Sequence, residues 1–290
     1  MSIADRRMTE PFGALAPVWI DRLVMAATSR LPDNWFGLRL AILLRRIVTA
    51  RLRGDGGLDV VRWGLRMRLH PRRNGCEKGV LFTPQMYEAG ERKELFAAID
   101  AARAVGRRFE FIDIGANVGM FSLLVASYTG ANARILAIEP EPENLSRLRF
   151  NISLNPAIVV NVAALALGEK AETVVLDVDR RDKGGTRTLP LAQGDAGGLR
   201  VECRPLLAVL REAGVSRIDA LKIDVEGNED AVLAPFFREA PQSLWPDLII
   251  VEDARQLWRD DLFSLLANEG YEVARRTRLN VILSRTENVP

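Results

Sequence analysis

The nine residues from Phe111 to Gly119 have the sequence FIDIGANVG, in which a buried strand runs into a glycine-containing turn and then into a helix. Glycine lets the backbone come close to a ligand, and the N-terminus of a helix offers N–H groups with partial positive charge to a carboxylate or phosphate. We therefore expect a cofactor to bind at this turn. The turn residues expected to bind it are Gly115, Ala116, Asn117 and Gly119.

The acids near this turn indicate which cofactor binds. Glu139 ends the next predicted strand, twenty residues after Gly119, where an acid can accept hydrogen bonds from both hydroxyls of a ribose. The turn lacks the central glycine of the Gly-x-Gly-x-x-Gly sequence that binds dinucleotides, and Asp113 adds an acid where a cationic amino-acid group fits. S-adenosylmethionine carries an ammonium group, a carboxylate and a ribose, so it is the predicted cofactor. The structural alternative is that both glycines only tighten the turn and that Asp113 caps the helix.

The chain beyond Gly106 alternates short apolar runs with helical patterns, which predicts an α/β fold with a mostly parallel sheet covered on both faces. The last two strands, 271–277 and 281–285, are joined by only three residues, so they should form an antiparallel hairpin at one sheet edge. The other predicted strands are 109–114, 134–139, 158–163, 218–224 and 247–252, and the predicted helices are 120–128, 142–154, 205–213, 228–238 and 258–269.

Two segments stand apart from this alternation. Residues 179–198 are rich in Gly, Asp and Arg and lie between two strand-like pieces, which favours a mobile excursion near the site. Residues 15–53 have helical spacing, and residues 60–69 alternate like a strand or hairpin. We therefore divide the chain into an N-terminal helical and basic extension, 1–75, and a cofactor-binding catalytic domain, 76–290.

The charge of the chain is unevenly distributed. Its net value of +2, with 48% hydrophobic and 27% charged residues, is typical of a globular protein and gives no basic field that suggests nucleic acid. Residues 1–75 nevertheless contain fourteen arginines against six acids. Arg39, Arg45 and Arg46 lie beside apolar residues, so this segment is either an amphipathic helix on an anionic membrane or a homodimer or domain contact with solvated arginines. We favour the contact.

The number of cysteines and the hydropathy of the chain indicate the cellular compartment that we expect. Cys76 and Cys203 are the only cysteines, which argues against a disulfide framework. Two cysteines and one histidine also argue against a closed zinc site. Charged residues interrupt the first apolar stretch before a signal-peptide core can form, and the longest apolar run, 40–44, is too short to span a membrane. We therefore expect a cytoplasmic protein.

Four blocks of sequence are similar to one known family. They are DIGANVG at 113–119, EPEPEN at 139–144, NISLN at 151–155 and LKIDVEGNE at 221–229, and in them the chain resembles the FkbM-type class I methyltransferases from about Val80 to Arg285. The resemblance implies a seven-stranded Rossmann-like sheet and methyl transfer from S-adenosylmethionine to a hydroxyl of a sugar, glycolipid or polyketide. One departure is CRPLL at 203–207, where the family often has Thr-Leu-Asp.

Three further residues complete the expected cofactor site. Tyr87 belongs to a Tyr-Glu pair common in the resembled family and would close over the cofactor, although an ordinary surface position is an equal alternative. Pro140 follows Glu139 in the second block, and Ala164 follows the third predicted strand.

The acids that follow the later strands are the candidates for catalysis, because ligands of open parallel sheets bind beyond the carboxyl ends of the strands. Asp224 and Glu226 follow the fourth strand and Glu252 ends the fifth, and any of them could take a proton from an acceptor. Asp224 and Glu252 together with Asp253 also suggest a magnesium-assisted reaction, which we do not favour. Lys222 is expected to neutralise one of these acids.

The alternatives to catalysis are structural. Asp224 could cap the helix that starts near Asn228, while Glu226 and Glu229 could be first-turn acids favoured by the helix dipole. His70 has the intrinsic pKa of a base, but its neighbours suggest a basic surface turn.

These features predict an S-adenosylmethionine-dependent O-methyltransferase acting on a small-molecule or glycan acceptor. Three alternatives remain open from the sequence: an N-methyltransferase of a small molecule or peptide, a nicotinamide-dependent oxidoreductase, and a binding module without catalysis. The missing central glycine and the terminal hairpin argue against the oxidoreductase. The acids at positions 113, 139 and 224 argue against the binding module.

Overall fold

The computed structural model describes residues 10–52, 56–72, 74–177, 187–190 and 198–286. Most of the predicted 179–198 excursion lies outside the described residues, so its expected mobility stays a prediction. No helix of the described part of the chain is both long and apolar enough to cross a membrane.

The N-terminal extension forms two helices and a hairpin rather than the continuous helical pattern expected over 15–53. The break lies at Pro32, where the Oδ1 atom of Asn34 accepts a hydrogen bond of 2.9 Å from the Gly37 N–H and begins the second helix. The hairpin turns at Trp63 and Gly64, which both have positive φ. In chain order the elements are α1 (Trp19–Thr28), α2 (Trp35–Arg51), β1 (Leu58–Arg62), β2 (Leu65–Leu69), α3 (Gly75–Phe82) and α4 (Ala89–Ala104).

The chain then alternates strands and helices as the sequence predicts. The first half of this alternation consists of β3 (Phe109–Ile114), α5 (Met120–Thr129), β4 (Ala133–Ile138), α6 (Pro142–Ser153) and β5 (Asn161–Ala163). A separate four-stranded sheet follows, in the order β6-β9-β7-β8. Its strands are β6 (Ala166–Leu167), β7 (Glu172–Asp177), β8 (Arg187–Pro190) and β9 (Leu199–Arg204).

The second half of the alternation completes the main sheet. It contains α7 (Leu206–Glu212), β10 (Ala220–Ile223), α8 (Glu229–Glu239), a 3₁₀ turn (Gln242–Leu244), β11 (Leu248–Glu252), α9 (Leu262–Asn268), β12 (Tyr271–Arg276) and β13 (Asn280–Arg285). The main sheet has seven strands in the order β12-β13-β11-β10-β3-β4-β5. The five strands from β11 to β5 are parallel, and β13 pairs antiparallel with both β11 and β12, which confirms the predicted terminal hairpin.

Both faces of this sheet are buried. Phe109 and Phe111 of β3 pack on one side with Leu95 of α4 and Val125 of α5. Residues of α7, α8 and α9 cover the other side in a second apolar cluster. This double cover explains why the central strands are buried along most of their length and mainly apolar, rather than alternating between apolar and polar residues.

The N-terminal extension shares a core with the catalytic part of the chain. Val48 of α2 and Met67 of β2 are buried in one apolar cluster with Val118 and Leu123, which belong to the cofactor turn and α5. Arg147 of α6, also buried, reaches back to a carboxylate of α3 with an Nη1–Oε2 distance of 2.9 Å. The extension is therefore packed against the elements that carry the site.

Candidate active site

A cavity of about 940 Å³ lies at the carboxyl ends of β3, β4, β10 and β11. This volume is at the upper end of the range of small-molecule sites, so it can hold a cofactor and part of an acceptor together. Its walls come from the strand ends, from α2, from the α3–α4 connection and from the β12–β13 turn. Of the residues expected to bind cofactor or to catalyse, it is lined by Tyr87, Asp113, Gly115, Ala116, Asn117, Glu139, Pro140, Asp224, Glu226 and Glu252.

The glycines of the FIDIGANVG turn are required by the protein's own packing. Gly115 has a φ of +73°, and a Cβ atom there would lie 1.9 Å from the carbonyl oxygen of Asp224. Gly119 has a φ of +84°, and its Cβ would lie 2.2 Å from Leu148 Cδ1. This supports the structural alternative for both glycines, since each makes room for a neighbouring segment. Gly115 also lines the cavity, whereas Gly119 is not among the described lining residues.

The backbone N–H groups of the turn are largely used within the protein, contrary to our expectation that they point to a ligand. Gly115 and Ala116 both donate to the Ile138 carbonyl at 3.0 Å. Asn117 donates to Glu139 at 2.7 Å, and Gly119 donates to the Ala116 carbonyl at 2.8 Å. Recognition of a cofactor therefore falls mainly to side chains around the turn.

Glu139 is buried with both oxygens held by the backbone. Its Oε2 atom accepts the Asn117 N–H at 2.7 Å, and its Oε1 atom accepts the Glu141 N–H at 2.9 Å. The Asn144 side chain also hydrogen-bonds to this carboxylate, and the acceptor capacity that remains is available to a ligand. Burial raises the pKa of Glu139 to about 7, although the two backbone hydrogen bonds oppose this rise. A fixed carboxylate of this kind fits a ligand with two adjacent hydroxyls, such as a ribose.

Asp113 has the capping role that was the structural alternative. Its Oδ2 atom accepts hydrogen bonds from the Ser122 N–H at 3.0 Å and from the Ser122 hydroxyl at 2.6 Å, which secures the first turn of α5. Burial raises its pKa, while Lys222 and Ser122 oppose the rise. The side chain also borders the cavity, so the capping role leaves open a contact with a cationic ligand.

Tyr87 and Ala164 lie in contrasting environments. The Tyr87 ring packs between Trp63 and Phe121, with ring centroids 6.1 and 6.3 Å away, and its hydroxyl lies 2.9 Å from Cys76 Sγ. It therefore forms part of the cavity wall. Ala164 is exposed and is not one of the described lining residues; residues 165–167 line the cavity instead.

Lys222 is a buried cation among the carboxylates of the site. Its Nζ atom is 3.0 Å from Asp224 Oδ2 and lies over the Phe121 ring at 5.1 Å. Burial disfavours its charge, but Asp224, Glu88 and Asp113 outweigh burial and raise its pKa above the ordinary value. The expectation that Lys222 neutralises a strand-end acid is met. The hydrogen bond described for the Asp224 carboxylate comes from Lys222, and the N-cap position of α8 is occupied by Asn228.

Two other carboxylates of the cavity each have one unpaired oxygen. Glu252 Oε2 and Glu88 Oε2 are buried without a hydrogen-bond partner among the described residues. Burial, followed by repulsion from Asp224, raises the pKa of Glu252 to about 8. Burial also raises the pKa of Glu88 to about 7, with Lys222 opposing. Orphaned carboxylate oxygens in a cavity fit a ligand that brings positive charge or N–H and O–H donors.

Glu88 was expected near the cofactor only as the second member of the Tyr87-Glu88 pair, without a role of its own. It precedes α4 in the left-handed region, with a φ of 40°, and reaches the site only because the α3–α4 connection packs over the strand ends. Strain at a non-glycine residue is often kept at functional sites. Its neighbour Tyr87 in the Tyr-Glu pair was the only sequence signal that pointed to this segment.

The remaining acids have clear partners. Glu229 accepts from the N–H groups of Val225 and Gly227 and from Trp258 Nε1 at 2.7 Å, so it holds the loop before α8. Asp253 forms an ion pair of 2.6 Å with Arg255.

Among the described residues, no group of three or more His, Cys, Asp or Glu side chains is arranged to hold a metal ion. The described residues thus give no support to the magnesium alternative, and no step is assigned to a metal.

His70 is buried rather than part of a surface turn, which corrects our expectation. Its N–H donates to Glu77 Oε1 at 2.9 Å, in the shared core of the extension and α3. The expected exposure failed because the basic residues beside it in sequence do not reveal that β2 ends under α3. His70 is not one of the described lining residues, so it does not serve as the base here.

A mostly parallel α/β sheet of seven strands, with a cavity beyond the carboxyl ends of its parallel strands, is the architecture that the resemblance to class I methyltransferases implied. The family model described as "Methyltransferase FkbM domain" matches residues 113–273. The chain belongs to this family, and it is a methyltransferase. The family resemblance stated from the sequence is thereby confirmed.

Several known proteins are similar to the chain. Methyltransferase sdnD of Sordaria araneosa is 28% identical, with 63% of this chain and 82% of the relative covered. The AMB antimetabolite synthetase AmbE of Pseudomonas aeruginosa is 31% identical over 57% of this chain, which spans 10% of that protein. Among solved structures, human methyltransferase 10 domain containing protein has a TM-score of 0.44 at 12% identity, covering 87% of this chain and 98% of that one. Monomeric WbdD has a TM-score of 0.42 at 16% identity, covering 67% of this chain and 41% of that one.

Proposed function

We propose that the protein is an S-adenosylmethionine-dependent O-methyltransferase that acts on a hydroxyl of a sugar, glycolipid or polyketide-type acceptor. The observation that carries this proposal is the cavity itself, which combines the doubly held Glu139 with a separate group of acids at the ends of β10 and β11. The first part suits the ribose of the cofactor. The second suits an acceptor that must lose a proton.

Glu139 would bind the two ribose hydroxyls, and the orphaned oxygen of Glu88 would face the ammonium group of the cofactor's methionine portion. The ammonium group is assigned to Glu88 because it offers three hydrogen-bond donors and a positive charge to a carboxylate oxygen that lacks a partner. When bound, the cofactor supplies an electrophilic methyl group on a positively charged sulfur. The Tyr87 ring and the apolar residues 165–167 supply the remaining walls.

Glu252 is the base that the described contacts favour. Methylation of a hydroxyl forms a bond from its oxygen to carbon and releases its proton, so a nearby group must take that proton. The pKa of Glu252 is raised to about 8 and its Oε2 atom has no partner among the described residues. Its deprotonated form, whose fraction increases as the pH rises toward 8, can accept this proton. Asp224 is held by Lys222 and is better suited to accept a hydrogen bond from the acceptor and orient it.

Ligand binding tests the cofactor assignment. The purified protein is titrated with S-adenosylhomocysteine, with NADH and with buffer, and its thermal unfolding is compared. S-adenosylhomocysteine at about one hundred times its Kd should add about 2.7 kcal/mol to the free energy of unfolding, whereas NADH should add nothing. The absence of a shift with S-adenosylhomocysteine would overturn the cofactor assignment.

Methyl transfer tests the acceptor assignment. The protein is incubated with methyl-labelled S-adenosylmethionine and with matched acceptor pairs that differ only in carrying a hydroxyl or an amine. Label should appear on the hydroxyl member of sugar, glycolipid or polyketide pairs. Label confined to the amines would replace this assignment with N-methylation while leaving the cofactor assignment intact.

A further inference from the structure

The outer surface of α1 and α2 carries large apolar side chains in unusual number. Trp19 is 74% exposed and Trp35 is 71% exposed, although tryptophan is usually well covered in folded proteins. A single exposed apolar residue needs no explanation, but a group on two neighbouring helices marks an interaction surface. We call this the α1–α2 surface, and its apolar members are Trp19, Leu23, Trp35, Phe36, Leu43 and Ile47.

The periodicity of α2 separates this surface from the protein core. Phe36, Leu43 and Ile47 are spaced by seven and four residues, so they lie in one stripe along the helix. Ala41 and Val48 lie on a different face and are buried in the protein. The domain contact expected from the sequence therefore accounts for the buried face of α2 and leaves the stripe without a partner among the described residues.

The exposed charges on α2 are all positive, and one exposed acid, Asp33, lies in the connection before this helix. Residues 35–51 contain four arginines and no acid. The only acid of α1, Asp21, is buried and forms a 2.8 Å ion pair with Arg51. Arg22, Arg39 and Arg46 are exposed. Arg39 also lies over the Trp35 ring at 5.2 Å, which brings an aromatic and a cationic group to the same place.

We propose that the α1–α2 surface docks onto an anionic lipid bilayer. Exposed tryptophan, phenylalanine and leucine side chains enter the headgroup boundary, while the neighbouring guanidinium groups contact lipid phosphates. The positive charge of α2 favours this occupant over a second copy of the chain, because the same helix on two copies would bring like charges together. A purely polyanionic partner such as nucleic acid would contact the arginines but would not bury the apolar stripe, as a bilayer does.

The position of α2 connects this surface to the cavity. Leu38 and Arg45 of the same helix line the cavity, so a bilayer on the outer side of α2 lies about one helix diameter, roughly 10 Å, from it. An acceptor hydroxyl carried on a membrane lipid would then be presented close to the site. This consequence for the acceptor rests on the proposed function, whereas the docking itself does not.

Vesicle co-sedimentation of the full chain, without cofactor or acceptor, tests the docking. Vesicles of phosphatidylcholine alone are compared with vesicles in which about one third is phosphatidylglycerol. The chain should sediment with the anionic vesicles, and its tryptophan emission should shift to the blue as Trp19 and Trp35 leave water. Raising the salt concentration should weaken the binding, because salt screens the arginine–phosphate attraction.

Two surface variants and one control make the test specific. The double variant Leu43→Ser with Ile47→Ser and the double variant Arg39→Glu with Arg46→Glu should each lower the vesicle affinity at least about tenfold. The double variant Arg211→Glu with Arg259→Glu has the same change in charge at exposed sites away from α1 and α2 and should bind like the parent. Unchanged S-adenosylhomocysteine binding and thermal unfolding show that all three variants are folded.

Three results would overturn the docking proposal. They are the absence of parent binding to anionic vesicles at low salt, equal loss of binding in the control variant, and a parent dimer in solution that Leu43→Ser with Ile47→Ser dissociates. The last result would assign the surface to a second copy of the chain. None of these results bears on methyl transfer, which is measured separately with a water-soluble acceptor.

Discussion

Glu139 links the fold to cofactor binding through a single ionisable group. Replacement by Ala should weaken S-adenosylhomocysteine binding by about tenfold or more, since charge-assisted hydrogen bonds to two hydroxyls are lost. In the parent, affinity should also fall as the pH drops below about 7, because the protonated acid is a poorer acceptor. Isothermal titration across this pH range measures both effects.

The variant Glu139→Gln is the matched control for the pH effect. It keeps the size of the side chain, so its affinity should be lower than that of the parent above neutral pH and nearly independent of pH. An Ala variant that binds as tightly as the parent would contradict the assignment of Glu139 to the ribose.

Glu252 carries the second residue-scale prediction. Glu252→Gln should lower kcat by about 10²-fold, because the group that accepts the hydroxyl proton is lost. S-adenosylhomocysteine affinity should change little. In the parent, kcat should rise with pH and level off above about 8, and the variant should lose this dependence.

Asp253→Asn is the control for Glu252, since Asp253 is its neighbour in sequence but is ion-paired with Arg255. It should keep the turnover of the parent. If Asp224→Asn abolishes turnover while Glu252→Gln keeps both the rate and the pH profile, the role of base passes to Asp224.

The sequence allowed prediction of the site residues that follow strands, whereas it indicated the Tyr87-Glu88 pair only through the family resemblance and not through its position. Glu139, Asp224 and Glu252 end or follow buried strands, so the topology alone brings them to one edge of the sheet. Glu88 depends on how the α3–α4 connection crosses that edge. That Lys222 would pair with one of the strand-end acids was foreseen because a lysine inside an apolar strand needs a partner, but the sequence did not indicate that the acid is Asp224.

At the scale of elements, Gly115 is where two parts of the site meet. Gly115→Ala should destabilise the protein by more than about 2 kcal/mol, because the new Cβ would overlap the Asp224 carbonyl oxygen and force β3 and β10 apart. Gly106→Ala is the matched control: Gly106 also has positive φ, +67°, but nothing lies within 4 Å of its Cβ position.

The control should therefore cost only the backbone strain, about 1 kcal/mol. Thermal and urea unfolding measure both variants, and cofactor binding should be lost in Gly115→Ala alone. Equal destabilisation of the two variants would mean that the contact with β10 is not what requires glycine at this position.

The buried strands were predictable to within a few residues, whereas some helix ends were not. β3 agrees with its predicted bounds because five of its six residues are buried and four of the six are apolar. The predicted helix 258–269 begins only at Leu262. Trp258 resembles a helical apolar position in the sequence, but its indole N–H is bound to Glu229, a long-range contact that no local pattern contains.

The β12–β13 turn is a further element that the strand pattern alone did not assign to the site. Thr277 and Asn280 both donate to Glu91 Oε1, at 2.5 and 2.8 Å, which ties this turn to α4. The sequence predicted the hairpin from the short connection. It did not predict that the turn lines the cavity, because this depends on the long-range contact with Glu91.

At the scale of the molecule, the buried acids make stability depend on pH. The pKa values of Glu88, Glu139 and Glu252 in the folded protein are raised to about 7, 7 and 8, so the folded state binds protons that the unfolded chain has released. Their contribution to stability is complete below the ordinary glutamate pKa and is lost as pH rises through 7 to 8. The free protein should therefore unfold at a lower temperature at about pH 8.5 than at about pH 6.

Variants of single acids identify the source of this change. Glu252→Gln should show a smaller fall in Tm over the same pH interval. Asp253→Asn should show the same fall as the parent, because the ion pair with Arg255 lowers the pKa of Asp253 and moves its titration to more acidic solutions. A parent Tm that rises steadily over the interval would contradict the role of the buried acids.

The balance of charge around the cavity also affects how readily the spent cofactor leaves after the reaction. Among the described lining residues, eight are acidic and four are basic. The cofactor loses one positive charge when its methyl group is transferred, so the attraction to these carboxylates weakens at the moment of product formation. The electrostatic contribution therefore favours exchange of spent for fresh cofactor and works against product inhibition.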